Sequence, residues 1–349
     1  MINGSLLAEA HTPMKHFFNL HLCITVTMFL AISVRCAELS TRQPEVWIMP
    51  PGTSNAYCLR ELFTQPDRWT ETRSLVTVIG CTPNQLTENF NAEELRAWLP
   101  QIGKWRLKLG LEVGTVKEWG PTGQQTFDIE RRQFDYIQSL GGKIFALAMD
   151  EPLCCTRQRL KKPDAYAVEQ TANFVALVRK NYPNVRIGDI EPYPYLQQED
   201  LLAFLDALQA RLKHMNVRGL DFFRLDVDWN RFIIADRIYA GNWADVKKLE
   251  LACRRRKVSF SLIYWAADYG RMKQLHLADD STWYVGMMQQ GYDYAFVGGS
   301  PDEYVIESWV DAPSHSIPDT GEWTFTRSVR DFCRRFVEPE SINRKSDAP

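Results

Sequence analysis

The most constraining feature of this chain is a repeat of order, not of sequence. From residue 46 onward, short apolar or β-branched runs recur at intervals of roughly 30 to 45 residues, with amphipathic stretches between them. The runs Val46–Pro50, Leu75–Cys81, Leu107–Val113, Lys143–Glu151, Arg186–Glu191, Asp221–Asp228, Val258–Trp265 and Glu303–Val310 predict strands. The stretches Ala92–Trp105, Phe127–Leu140, Ala165–Asn181, Gln198–Met215, Trp243–Arg256, Ser281–Phe296 and Thr326–Phe336 predict helices. In the fourth of these, Leu201, Leu202, Leu205, Leu208 and Leu212 fall at helical spacing, and Asn181-Tyr-Pro-Asn184 stops the helix before it. Strand followed by helix, eight times, is the pattern of a closed (β/α)₈ barrel of the α/β class. The alternative is an open, doubly wound sheet. Its usual Gly-rich first turn is missing: neither G-x-G-x-x-G nor G-x-x-x-x-G-K-[ST] occurs. No internal repeat or linker marks a second domain.

The start of the chain reads differently. Lys15 and His16 precede an apolar run from Phe17 to Val34, and Arg35-Cys36-Ala37 follow. This is the layout of a secretory signal peptide over residues 1–37, with Met14 as an alternative start. The expectation is a single barrel domain over residues 38–349 with a short C-terminal tail, secreted or periplasmic and without a stable membrane span. Left uncleaved, the same run of about 18 residues would be a membrane anchor. Beyond it stand six cysteines, Cys58, Cys81, Cys154, Cys155, Cys253 and Cys333. An even number in an exported protein permits disulfides. No C-x-x-C occurs.

Composition removes several functions. Lys+Arg number 41 against 43 Asp+Glu, with no basic block, so there is no electrostatic footprint for nucleic acid. Three of the six histidines lie in the presequence, and His214, His276 and His315 avoid the strand ends, which argues against a His-rich metal site. His315, in the loop after the eighth strand, is the one placed to reach a ligand. There is no G-x-S-x-G nucleophile elbow. Neither a metal nor a cofactor is expected, although Asp226, Asp228 and Glu191 would be the candidate donors for a divalent ion.

Acids gather where the strands end, which is where a barrel of this kind builds its site. Glu112 closes the third strand, Asp150-Glu151-Pro152 the fourth, Asp189-Ile-Glu191-Pro192 the fifth and Arg224-Leu-Asp226-Val-Asp228-Trp229 the sixth, while Glu307 lies on the eighth. Strand alternation puts Asp189 with Glu191, and Arg224 with Asp226 and Asp228. Outward charges would lie under helices at a cost, so these acids are expected to point into the mouth. Converging carboxyls push one another's pKa values apart, the condition for an acid and a base at one site. Local pairing is the competing reading: Arg224 with Asp226, and Glu112 with Lys108. Aromatics accompany the acids: Tyr193, Tyr195, Trp229, Tyr264, Trp265 and Trp309. Flat rings beside carboxylates suit sugars, which present apolar C–H faces and many hydroxyls. Trp309, on the face of Glu307, is the best platform.

The Asp150-Glu151-Pro152 end of the fourth strand resembles the Asn-Glu-Pro of retaining (β/α)₈ glycoside hydrolases, and the aromatic end of the eighth strand resembles their substrate platform. The resemblance implies a glycosidase in which Glu151 is the acid/base. Two departures stand out. Asp150 replaces Asn. The seventh strand runs Leu262-Ile-Tyr-Trp265-Ala-Ala-Asp268 without the nucleophile Glu those enzymes carry there. The sequence therefore predicts an exported glycoside hydrolase-like barrel with Glu151 as acid and Glu191 as nucleophile or base, and with Asp228, Asp268 and Glu307 as competitors. Glu112, Asp226, Asp228, Trp229, Trp265, Glu307 and Trp309 are the expected substrate-binding residues. The alternatives are a catalytically silent barrel that binds polysaccharide, or a membrane-anchored surface protein whose barrel is only a scaffold.

Overall fold

A computed structural model describes residues 43–52, 56–234 and 239–338. The proposed signal segment lies outside them. Eight parallel strands close into a barrel in sequence order, each pairing with the next and β8 with β1. They are β1 (Glu45–Met49), β2 (Val78–Cys81), β3 (Lys108–Val113), β4 (Ile144–Asp150), β5 (Arg186–Tyr193), β6 (Phe222–Val227), β7 (Ser259–Tyr264) and β8 (Glu303–Glu307). Each feeds a principal helix: α1 (Tyr57–Thr64), α2 (Ala92–Lys104), α3 (Gly123–Ser139), α4 (Asp164–Asn181), α5 (Gln198–His214), α6 (Trp243–Arg255), α7 (Asp280–Phe296) and α8 (Phe325–Phe332). The predicted (β/α)₈ barrel is therefore the fold. Among the described residues, no helix is long and apolar enough to cross a membrane.

The strands separate two cores. One lies between strands and helices and holds most of the apolar side chains. The other fills the barrel and is built from Trp47, Met49, Val78, Ala146, Ala148, Ile190, Phe222, Ile263 and Val305. Bare backbone makes room for its rings. A Cβ on Gly110 would stand 2.0 Å from Trp47, and one on Gly188 would stand 2.1 Å from Phe222. Such contacts are sterically forbidden, so these glycines fix which face of β3 and β5 looks inward.

That phase corrects one expectation. Arg186, Gly188 and Ile190 face the barrel, so Asp189 and Glu191 face the helices. Asp189 pairs in register with Met149 and Phe223, and Glu191 with Leu225, all members of the outer core. The helix-side position is tolerable for Glu191 because backbone donors meet it there, as described below.

The cysteines are buried side chains of this packing. Cys81, Cys154, Cys155, Cys253 and Cys333 are free thiols, and Cys58 is buried with its sulfur 3.7 Å from the Pro313 carbonyl. The permitted disulfides are thus not formed by those five. Buried thiols of this kind act as small apolar groups.

Candidate active site

The inner faces of β3, β4, β6 and β8 end in Glu112, Asp150, Asp226 and Glu307. Glu307 feels the charge of the other three, Glu112 feels Asp150 and Asp226, and both feel Arg224 from below. Burial, first, and these like charges, second, push Glu112 and Glu307 well above the usual carboxylate range. Glu112 is 8% exposed and Glu307 is 3% exposed. Asp226 is half-buried and is pushed up to about 8 by burial and then by Glu151, its strongest charged neighbour. The Trp265 indole beside it opposes that rise.

Glu151 reaches this group through its backbone. Pro152 disfavours right-handed helical geometry for the residue before it. Glu151 instead sits at φ 48°, in the left-handed region that costs most residues free energy. The short helix Pro152–Cys155 starts at once behind it. Burial and then Asp150 raise the Glu151 carboxyl, while Lys117 lowers it. A raised carboxyl is the state a general acid needs.

Glu191 explains how this turn is held. Its two oxygens accept the backbone N–H of Leu153 at 2.6 Å and of Cys154 at 3.1 Å. These are first-turn donors of the short helix, which has no other side-chain cap. Glu191 is fully buried on the helix side and anchors the segment carrying Glu151. It does not face the mouth, so the nucleophile or base assigned to it from sequence is corrected to a positioning role. Asp189, beneath it, is also fully buried, and neither of its oxygens has a hydrogen-bond donor among the described residues.

Other expected residues divide. Asp228 lies just past β6, where its Oδ2 accepts Arg231 Nε at 3.0 Å and the Tyr195 hydroxyl at 3.3 Å. Trp265 follows β7, packs against the inner core and donates its indole N–H to the Val227 carbonyl at 3.2 Å. Trp229 is core: it is 3% exposed and donates to the Trp265 carbonyl at 3.3 Å. Its expected role at a ligand surface is corrected, because it packs into the outer core. Tyr193 and Tyr264 are buried there as well. Trp309 is 43% exposed and stands past β8, which ends at Glu307 and not at Val310. His315 contacts Glu61 at 3.0 Å instead of a ligand site. Arg224 donates to Ser261 at 2.9 Å and lies 3.7 Å from Glu303, so the expected pair with Asp226 is not formed. Lys108 bonds Glu45 at 2.8 Å and not Glu112. Asp226, Asp228 and Glu191 do not converge, and no group of three or more His, Cys, Asp and Glu among the described residues is arranged to hold a metal.

Two residues were invisible to strand-end reasoning because they lie in the loop after β3. Lys117 pairs with Asp150, and its charge also reaches Glu151. The backbones of Lys117 and Gly120 exchange two hydrogen bonds of 3.1 Å, forming a tight turn. Trp119, at its tip, is 53% exposed and lies over Gly114, where a Cβ would come within 2.5 Å of the ring. The only sequence signal was the sequence Gly114-Thr-Val-Lys-Glu-Trp-Gly120 itself, a glycine-bounded loop with a lysine and a tryptophan.

No protein-family model matches the chain, and no curated protein matches it. Among solved structures, the chain is similar to a xylanase 10C from Cellvibrio japonicus in complex with xylopentaose, at 8% identity over 85% of this chain and 68% of that one, with a TM-score of 0.52. It is also similar to a glucosidase from Croceicoccus marinus at 11% identity over 76% of this chain, with a TM-score of 0.45. The chain spans 62% of that glucosidase's length. A 3-hexulose-6-phosphate synthase from Salmonella typhimurium matches at 10% identity over 84% of this chain and 99% of that one, with a TM-score of 0.44. At these identities the likeness is one of fold, shared by glycoside hydrolases and other barrels.

Proposed function

We propose that this protein is a glycoside hydrolase-like barrel that acts on a poly- or oligosaccharide, with Glu151 as general acid and Asp226 as the partnering carboxylate. One observation carries the reading: Glu112, Asp150, Glu151, Asp226 and Glu307 share one field at the carboxyl ends of the strands. Among the candidate partners, Asp226 is favoured by position. Asp228 is tied to Arg231 and Tyr195. Asp268 packs toward α7, its Oδ1 lying within 2.6 Å of where a Gly286 Cβ would be. Glu307 is deeper than Asp226 and nearly closed to solvent. The fold shared with xylanase 10C supports the class of reaction without specifying the sugar. The signal-like segment of residues 1–37 supports export, so the proposed place of action is outside the cytoplasm.

The test is Glu151→Gln, which keeps the shape and removes the proton. Turnover on the best glycan of a panel should fall by roughly 10²–10⁴, the usual contribution of a general acid, while the melting temperature holds. A folded variant with unchanged rate removes Glu151 from this role. A second reading, a silent saccharide-binding barrel, is favoured by Trp265, which occupies the end of β7 where the resembled enzymes carry their nucleophile. Binding without turnover in the wild-type protein would select it.

A further inference from the structure

The mouth is short of hydrogen-bond donors and rich in carboxyl groups. Glu112 Oε2, Glu307 Oε2 and Asp226 Oδ1 are buried acceptors with no donor among the described residues. The nearby donors are Lys117, the Trp265 indole and Arg224, whose Nη1 and Nη2 make no hydrogen bond among the described residues. Lys117 is paired with Asp150, and the Trp265 indole is bonded to Val227. Arg224 reaches Glu112 and Glu307 by charge alone and shares that charge with Glu303. Counted at full ionisation, five carboxylates (Glu112, Asp150, Glu151, Asp226, Glu307) face two main cations (Lys117 and Arg224), with Arg159 acting weakly on Glu151 alone. Buried acceptors left empty are costly, and a ligand that meets them gains what the free site lacks.

Resting on the saccharide reading above, we infer that the sugar taken by this site carries a free amine: it is a de-N-acetylated amino sugar whose ammonium lies against Asp226 and Asp150, with Glu112 and Glu307 behind them. The chemistry of the two partners matches. An ammonium brings three donors and no acceptor, where a hydroxyl brings one donor and needs donors in return. It also brings the missing charge, and charge-assisted hydrogen bonds are about twice as strong as neutral ones. At a partly buried site the attraction is larger than in bulk water. Deep carboxylates that do not touch the ligand still contribute, because the field of Glu112 and Glu307 reaches Asp226. An N-acetyl group cancels both advantages, since it removes the charge and adds a carbonyl acceptor to a site already crowded with them.

Calorimetric titration with tetramers of glucosamine, N-acetylglucosamine and glucose, at near-neutral pH, tests this. The glucosamine tetramer should bind at least about tenfold more tightly than the other two, a difference of about 1.4 kcal/mol. That preference should shrink in high salt. It should also fall several-fold in Glu307→Gln, checked for an intact melting transition. If Glu307→Gln fails to fold, Glu112→Gln takes its place, and the salt dependence of the wild-type protein is independent of both. Equal or tighter binding of the glucose or N-acetylglucosamine tetramer overturns the amine inference and leaves the saccharide reading standing. A trilysine peptide bound as tightly as the glucosamine tetramer overturns it as a bare charge effect. Failure of all three tetramers to bind overturns both.

Discussion

The two ends of this barrel both hold charge inside an apolar tube, and they treat it in opposite ways. At the amino-terminal floor each acid has an ion-pair partner, although Glu303 Oε2 makes no hydrogen bond among the described residues. Arg186 bonds Glu45 at 2.6 Å and Glu303 at 2.6 Å, Lys108 bonds Glu45 at 2.8 Å, and Arg224 approaches Glu303 at 3.7 Å. Aromatic faces line the same charges: Lys108 stands 4.1 Å from the centre of the Phe145 ring and Arg224 stands 4.2 Å from that of Trp47. At the carboxyl-terminal mouth the acids outnumber the cations among the described residues, and three carboxylate oxygens there lack donors. A paired floor is what folding alone selects, since a lone buried charge is expensive. An unpaired mouth opposes folding, so its cost points to a task. The same division holds for barrels in general, with stability at the bottom and chemistry at the top.

The comparison predicts opposite signs for mutations at the two ends. The largest effect on stability belongs to the floor. Arg186→Met should lose about 3 kcal/mol, because it strands Glu45 and Glu303 while packing a side chain of similar length. Denaturant unfolding measures it, and a loss under about 1 kcal/mol would mean that Lys108 and Arg224 already satisfy the floor.

Next comes Glu191, which belongs to neither end. Glu191→Ala leaves the Leu153 and Cys154 N–H groups without their acceptor, at a cost of about 1–3 kcal/mol. Through the displaced turn, turnover should drop by about tenfold, and Glu191→Gln should restore part of both. If Glu191 were instead the nucleophile, Gln would be as inactive as Ala, and the two variants side by side distinguish the roles.

At the mouth, removal of a charge should stabilise. Asp226 has its pKa raised from an ordinary value near 4 to about 8 in the folded protein. Between those values the folded state holds more protons than the unfolded state, so stability falls as pH rises through the window. Asp226→Asn removes that loss. It should be more stable than the wild type by about 1–2 kcal/mol above pH 8, and by nothing below pH 4, while losing activity. Melting curves across the window check the sign. A destabilised Asp226→Asn at alkaline pH would show that the mouth is paired like the floor.

These signs separate what the sequence discloses from what it conceals. The barrel is legible because eight apolar runs and their intervening helices keep one order, and the observed strands begin and end within a few residues of the expected ones. Glu112, Glu151, Asp226 and Glu307 are legible because an acid closing a buried strand has few structural excuses. The face of β5 is not legible from its acids. The rule that charge avoids the helix side points Glu191 inward, and it fails because the N–H groups of a neighbouring turn meet the carboxylate outside. The better signal is Gly188: a glycine inside a buried strand marks where a large ring, here Phe222, crosses the barrel. Trp229 misleads for a related reason. A residue just past a strand end has no fixed face, so alternation does not say that it turns back into the outer core. Lys117 is concealed altogether, since nothing along the chain ties the loop after β3 to Asp150 at the end of β4.

The smallest effect on stability is expected at Trp309, where it bears on ligand binding instead. This ring is 43% exposed, against 1% for Trp47 in the barrel. It follows Glu307 by two residues but lies beyond the last ladder residue, so the chain there is free of the strand's alternation. Ser308 fixes the segment: its hydroxyl donates to the Ala312 carbonyl, and its backbone N–H bonds the Met49 carbonyl at 3.1 Å. The ring is thus carried on an anchored turn without being packed into either core. Trp309→Ala should change folding stability by less than about 0.5 kcal/mol, as surface substitutions do. If the ring stacks on sugar, the same change should weaken saccharide binding about two- to tenfold, since aromatic contacts of this kind contribute about 0.5–1.5 kcal/mol. One variant and two measurements, a melting curve and a saccharide titration, are sufficient. A loss of several kcal/mol of stability would place Trp309 in the core after all, and an unchanged affinity with unchanged stability would leave Trp119 as the exposed ring to test at the mouth.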